Sequence, residues 1–252
     1  MIFYFSATGN SKYVAERIAR ETNDTAVSIQ NFSGETYQVL NNELQIGIIS
    51  PTYAWGIPSV LQDFLQKTTL AAGQLTYFFY VATYGTTPGR SGHIADEELY
   101  KRSGRHFDAF FSVKMPDTWT PWFDLSNAEK VKKINDRAEK EIDSVIDQIE
   151  LRVKNTAMAG ETPGFTRAVY PAYYDQMRRT NLFSVSDECV GCGLCAKKCP
   201  VQAIEIKNEK PVWVKEQCAM CLGCLHRCPK FAIQYGKNTK KHGQYINPNT
   251  KI

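Results

Sequence analysis

The sequence contains no run of about 18 apolar residues free of charge, the length a helix needs to cross a bilayer, so no membrane span is expected. Its first residues, MIFYFSATGNSK, offer neither a basic n-region nor an A-x-A cleavage site. They read as the first strand of a domain rather than as a signal peptide, and cytoplasmic residence is expected. No cysteine lies outside the stretch 189–228. In that compartment such crowding points to metal rather than to disulfides. No G-x-G-x-x-G precedes a helix, and Gly191-Cys192-Gly193 lies inside the cysteine run, so direct use of a nicotinamide is disfavoured. With 43% apolar and 22% charged residues the chain is globular, and 252 residues leave room for two domains.

All 8 cysteines fall into two copies of C-x2-C-x2-C-x3-C-P. Cys189, Cys192, Cys195, Cys199 and Pro200 map onto Cys218, Cys221, Cys224, Cys228 and Pro229 with a period of 29. Ala203-Ile204 maps in the same way onto Ala232-Ile233, and Asp187 onto Glu216. This tandem run resembles the two-cluster bacterial ferredoxins. The resemblance implies two [4Fe–4S] clusters with crossed ligation. Cys189, Cys192, Cys195 and Cys228 would hold one, and Cys218, Cys221, Cys224 and Cys199 the other. The rival is a pair of tetrahedral zinc sites. It is disfavoured because zinc knuckles pair two cysteines with a distant pair and lack the triple run and the proline. Gly191, Gly193 and Gly223 are expected to let the backbone approach sulfur, and His226 is expected at the surface. FSVS (183–186), IEI (204–206), PVWV (211–214) and AIQY (232–235) suggest two small hairpins. That is a thin core, so the clusters are expected to supply much of the folding energy.

The N-terminal part alternates apolar strands with helices, which implies an α/β fold with a parallel sheet covered on both faces. Residues 1–5 form the first strand, and Lys12–Glu21 has helical spacing. Between them Ser6-Ala7-Thr8-Gly9-Asn10-Ser11 sets hydroxyls and backbone N–H groups at a helix N-terminus. That is a phosphate site by geometry, or else an ordinary N-cap. Residues 44–50 and 75–83 form further strands. They end in Pro51-Thr52-Tyr53-Ala54-Trp55-Gly56 and in Thr83-Tyr84-Gly85. Ligands of such sheets bind outside the C-terminal strand ends.

These three loops resemble those of flavodoxins, whose phosphate loop has the form S/T-x-T-G-x-S/T. The resemblance implies a doubly wound sheet of order 2-1-3-4-5. It implies non-covalent FMN, with phosphate on Ser6–Ser11 and the ring between Pro51–Gly56 and Thr83–Gly85. Trp55, Tyr53 and Tyr84 compete as stacking partners. Lys12 is expected to be a surface lysine of the first helical turn.

Residues 25–30 read as a strand, and 31–43 are too short and polar for a full crossover helix, so a single turn or an extended connection is expected there. A helix is expected at Ser91–Ser103, a strand at His106–Val113, and a long helix at about Ser126–Lys154 opened by a Ser126/Glu129 capping box. The loop Met115–Phe123 carries Trp119 and Trp122. It reads as a lid over the flavin, as a contact with the cysteine-bearing part, or as packing on its own rim. The expected domains are 1–155 (flavodoxin-like), 156–182 (an aromatic connector adhering to both sides), 183–236 (a small α+β ferredoxin domain) and 237–252 (a basic, loosely ordered tail). Residues 181–252 carry 11 Lys and Arg against 5 Asp and Glu. Thiolate-ligated clusters would cancel most of that excess, so no nucleic-acid role is expected.

Iron–sulfur clusters move single electrons and a flavin takes one or two. The expectation is an anaerobic electron-transfer protein exchanging electrons with a ferredoxin or an oxidoreductase. The alternatives are a ferredoxin-linked flavin reductase, with Tyr84 or Asp117 as acid, and a redox sensor or docking module. The oligomeric state is not legible.

Overall fold

The computed structural model describes residues 1–32, 36–38, 44–71 and 76–252. Its first elements are β1 (Ile2–Tyr4), α1 (Asn10–Glu21), β2 (Ala26–Ser28), β3 (Thr36–Gln38), β4 (Gln45–Pro51), α2 (Ser59–Lys67), β5 (Thr69–Ala71), β6 (Tyr77–Tyr84), α3 (Ser91–Ser103), β7 (Ala109–Lys114) and α4 (Ala128–Glu150). Five strands form one parallel sheet of order β2-β1-β4-β6-β7, which is the expected 2-1-3-4-5 once β3 and β5, a separate parallel pair, are set aside. The central strands are apolar on both faces because both faces are covered. On one side Leu61 and Leu65 of α2 and Ile94 and Leu99 of α3 pack with Phe3, Ile48 and Tyr80. On the other Val14 and Ile18 of α1 and Ile142 and Ile149 of α4 pack with Ile49, Phe79 and Val113. All the C-terminal strand ends therefore open on one edge.

The connection expected at 25–43 is described in part: a 3-10 turn at Ile29–Asn31, then β3. Its residues 33–35 and 39–43, and Leu75 of the expected third strand, lie outside the described residues. The α4 cap differs from expectation by one position. Asn127 Oδ1 accepts from Lys130 N–H at 2.9 Å, while the Ser126 N–H is taken by Asp124 Oδ1.

The chain continues through α5 (Thr166–Met177), β8 (Phe183–Val185), α6 (Leu194–Lys197), β9 (Ile204–Lys207), β10 (Lys210–Trp213), α7 (Gly223–His226), β11 (Ile233–Tyr235) and α8 (Thr239–His242). Only one of the two expected hairpins forms, β9–β10. β8 instead pairs antiparallel with β11, closing the unit's first segment onto its last. A small core of Ala203, Met220, Leu222, Leu225, Ile233 and Tyr235 fills the space between.

The connector adheres to both sides, and its tyrosines do the joining. On α5, Tyr170 Oη donates to Ile57 O. Tyr174 Oη accepts from Ser59 N–H at 3.2 Å and donates to Ala219 O at 2.8 Å. Arg178 Nε then donates to Cys218 O at 2.8 Å. The tail, expected to be loosely ordered, packs instead: Tyr245 is 6% and Asn247 2% exposed. Its polar atoms are satisfied by hydrogen bonds, which is how a polar segment can be buried.

Candidate redox site

The loop between β1 and α1 is buried throughout, with Ser6, Thr8, Asn10 and Ser11 each at most 8% exposed. Gly9 precedes α1 at φ 98°, a left-handed conformation that a side chain disfavours. No side chain caps the helix. Ser6 Oγ spends itself on Gly9 N–H at 3.1 Å. The first-turn amides of α1 therefore keep their donors for an anion, with the helix dipole behind them. Between the ordinary-cap and phosphate-site readings, this geometry favours the second. Ser11 Oγ lies 2.8 Å from Thr83 Oγ1 and joins this loop to the one after β6.

These loops enclose a cavity of about 280 Å³. Of the residues expected around a flavin, Ser6, Ala7, Thr8, Asn10 and Ser11 line it from the first loop. Pro51, Thr52, Tyr53, Ala54 and Trp55 line it from the second, and Thr83, Tyr84 and Gly85 from the third. Gly9 and Gly56 do not. Gly9 backs onto Asn247, and a Cβ on Gly56 would stand 2.4 Å from the Tyr170 ring, so that glycine serves the connector and not the cavity. Trp55, at φ 69°, stacks on Tyr173 with ring centroids 5.1 Å apart. Lys12, in the first turn of α1, does not line the cavity; it is partly exposed, donates to Lys251 O and lies 3.5 Å from Glu16.

The Met115–Phe123 loop is both cavity wall and contact with the cysteine-bearing unit. Met115 to Trp119, Trp122 and Phe123 border the cavity. Trp119 also meets Tyr235 with centroids 5.8 Å apart, while Trp122 stays 74% exposed at the rim. Asp117 touches Gly85 so closely that a Cβ there would lie 2.2 Å from the Asp117 Cβ. Its carboxylate accepts from Trp119 N–H and Thr86 Oγ1, both at 3.0 Å, and burial pushes its pKa above the usual carboxylate range.

Sequence reasoning missed His226. It is not a surface residue but 2% exposed. Its Nε2–H donates to Thr118 O at 2.9 Å, and its Nδ1 accepts from Tyr245 N–H at 3.2 Å. Burial, aided by the Arg227 charge, pushes its pKa down to about 4, so the ring is a neutral bridge between α7, the Trp119 loop and the tail.

The eight cysteines fall into two groups around two small cavities. Cys189, Cys192, Cys195 and Cys228 line one small cavity, and Cys199, Cys218, Cys221 and Cys224 line another. Backbone N–H groups serve the sulfurs: Ala203 to Cys199 at 3.2 Å, Ala232 to Cys228 at 3.3 Å, and Met220 to Cys218 at 3.2 Å. Burial, then the nearby Cys221, pushes the Cys218 thiol up to about 12. Thiolates crowded in this way are stabilised by a cationic core, and an iron–sulfur core would supply one.

The repeat extends to backbone conformation, with one difference. Gly191 and Gly193 (φ 66° and 72°) correspond to Met220 and Leu222 (φ 50° and 51°). A side chain in that region costs about 1–2 kcal/mol. Here the two side chains are 3% and 2% exposed and form part of the wall of the cavity between the strand-end loops. Gly191 is held by its φ and by Glu209 O, 3.0 Å from where its Cβ would be, rather than by an approach to sulfur. Gly223 does approach sulfur: its Cβ would lie 3.5 Å from Cys221 Sγ and 3.6 Å from Ala7 Cβ.

A family model described as a flavodoxin domain matches residues 1–144. The chain belongs to the flavodoxin-domain family. A 4Fe-4S dicluster domain follows at residues 182–229, making the chain a flavodoxin/ferredoxin fusion. No curated protein matches it. Among solved structures it is similar to the Trp repressor binding protein from Bacillus subtilis (12% identity, TM-score 0.37, covering 61% of this chain and 97% of that one). It is also similar to rubredoxin oxygen:oxidoreductase from Desulfovibrio gigas (18%, TM-score 0.29, 57% and 35%). A flavone reductase matches at 11% identity and TM-score 0.34, over 85% of this chain and 81% of that one. The pairing of a flavodoxin domain with a 4Fe-4S domain supports an electron-transfer flavo-iron–sulfur protein. Among the described residues no helix is long and apolar enough to cross a membrane.

Proposed function

We propose that this protein carries electrons between two [4Fe–4S] clusters and a non-covalent FMN. The observation that carries the reading is Cys221, which lines both the Cys199/Cys218/Cys221/Cys224 cavity and the cavity between the flavodoxin loops. The other cysteine set includes Cys192, which is exposed. One cysteine set thus borders the loop cavity, and the other includes a residue at the surface. FMN, when bound, supplies the exchange between one-electron and two-electron chemistry. The chain's own part is to hold the phosphate on the α1 amides and the Ser6 and Thr8 hydroxyls. It also keeps the ring between Trp55 and the Tyr84–Gly85 turn, and Met220 and Leu222 shut water out of the junction. A ferredoxin or an oxidoreductase of the cytoplasm is the partner class that fits. Anaerobic purification tests the reading: FMN and about eight iron per chain are expected, and zinc without iron would refute it.

A second reading, a flavin reductase for a small substrate, is favoured by one observation. Asp117 is a half-buried carboxyl on the cavity wall, and desolvation raises its pKa, the direction a proton donor needs. Asp117→Asn would then lower turnover of a two-electron acceptor by about a hundredfold or more and leave cluster-to-flavin transfer intact.

A further inference from the structure

After α8 the chain turns at Gly243 and runs from the cysteine-bearing unit to the Ser6–Ser11 loop. Gln244 Nε2 donates to Leu225 O at 2.7 Å and to Cys228 O at 2.9 Å, and Tyr245 N–H donates to His226 Nδ1. The next residues reach the loop itself. Asn247 N–H donates to Thr8 O at 2.8 Å. Asn247 Nδ2 donates to Asn10 Oδ1 at 3.1 Å, and Tyr245 Oη, with one proton to give, lies 2.9 Å from Asn10 Oδ1 and 3.1 Å from Asn135 Oδ1. Asn10 Nδ2 is thereby aimed at Pro116 O, 3.3 Å away on the Trp119 loop.

We propose that Tyr245 and Asn247 are positioning residues for the flavin phosphate, acting through the Ser6–Ser11 loop. The proposal rests on the FMN reading above. Neither residue borders the cavity, so neither is placed to touch the cofactor. Each spends a buried polar group on the loop's outer side. The Thr8–Gly9 peptide is the pivot. Its carbonyl is fixed by Asn247, its N–H by Ser6 Oγ, and Gly9 sits at φ 98°, where a glycine peptide is otherwise free to turn. A phosphate held by backbone dipoles and neutral hydroxyls gains from donors fixed in advance, because no reorganisation then accompanies binding. The strap supplies that fixity from the far end of the chain, and its anchors are the α7 turn and the carbonyl of Cys228.

The test uses the full chain with its clusters in place and compares FMN with riboflavin, which lacks the phosphate. Dissociation constants are read from flavin fluorescence for the parent, for Tyr245→Phe, and for Tyr245→Phe combined with Asn247→Pro, which removes the N–H on Thr8 O as well as the amide on Asn10, with iron per chain and the melting midpoint as controls. The double variant should bind FMN about tenfold more weakly or worse, with riboflavin affinity held within about twofold and iron unchanged. Tyr245→Phe keeps the ring's packing and should show a smaller loss in the same direction, so it carries the test if the double variant loses iron. Unchanged FMN affinity, or an equal weakening for both flavins, would overturn the proposal. A parent that binds riboflavin as tightly as FMN would instead overturn the phosphate-loop assignment, and the strap's role with it.

Discussion

The hydroxyl of Tyr174 donates to the carbonyl of Ala219 at 2.8 Å, so a tyrosine of the connector is bonded to the residue between Cys218 and Met220. The same oxygen accepts the first N–H of α2. One side chain, 4% exposed, thus fixes the flavodoxin loops relative to the second cysteine run.

Tyr174→Phe keeps the ring and leaves two buried groups without a partner. The variant should lose about 1–3 kcal/mol of stability. Denaturant unfolding of the iron-loaded protein measures this, and an unchanged midpoint would assign the joint to packing alone.

His226→Phe removes both bonds of the neutral imidazole and strands Thr118 O and Tyr245 N–H. A loss of about 2–4 kcal/mol is expected from two unsatisfied groups. Limited proteolysis should then cut near the Trp119 loop and the tail, sites protected in the parent.

Gly85→Ala places a methyl group 2.2 Å from the Asp117 Cβ, and the two loops must part. FMN affinity should fall about tenfold or more while iron per chain stays constant. Equilibrium dialysis against FMN, beside an iron assay, separates the two effects.

Cys192→Ser and Cys221→Ser should differ although both remove one sulfur ligand. Cys192 is exposed and does not border the flavin-loop cavity, so its loss should leave the flavin spectrum unchanged. Cys221 is part of that cavity's wall, so its loss should shift flavin absorbance as well as iron content.

Much of this was legible because it is local. The apolar strands at 1–5 and 44–50 end in turns rich in Gly, Pro and hydroxyls, and that pattern alone places loops at one sheet edge. The two runs of four cysteines are plain in the spacing, and their crossed pairing is what the resemblance to two-cluster ferredoxins implies. What stayed hidden depends on distant partners. His226 reads as a surface residue beside Arg227 until Thr118, 108 positions away, accepts its hydrogen bond. The polar tail reads as loose because Tyr245 and Asn247 are buried by bonds to Asn10 that span 235 and 237 positions. The strand pair β8–β11 reads as part of two hairpins because each run is short and its partner lies across the whole unit. Met220 and Leu222 hold left-handed positions that sequence alone assigns to glycine, and only the cavity wall they form explains the exchange.

The measurement that reaches the central claim most directly is an anaerobic redox titration followed by EPR and visible absorbance. The account predicts two [4Fe–4S] signals that interact magnetically, because the two cysteine sets exchange Cys199 and Cys228 within one small unit, together with a flavin transition in the same sample. A protein with no EPR-active cluster, or with clusters and no flavin transition, would contradict it.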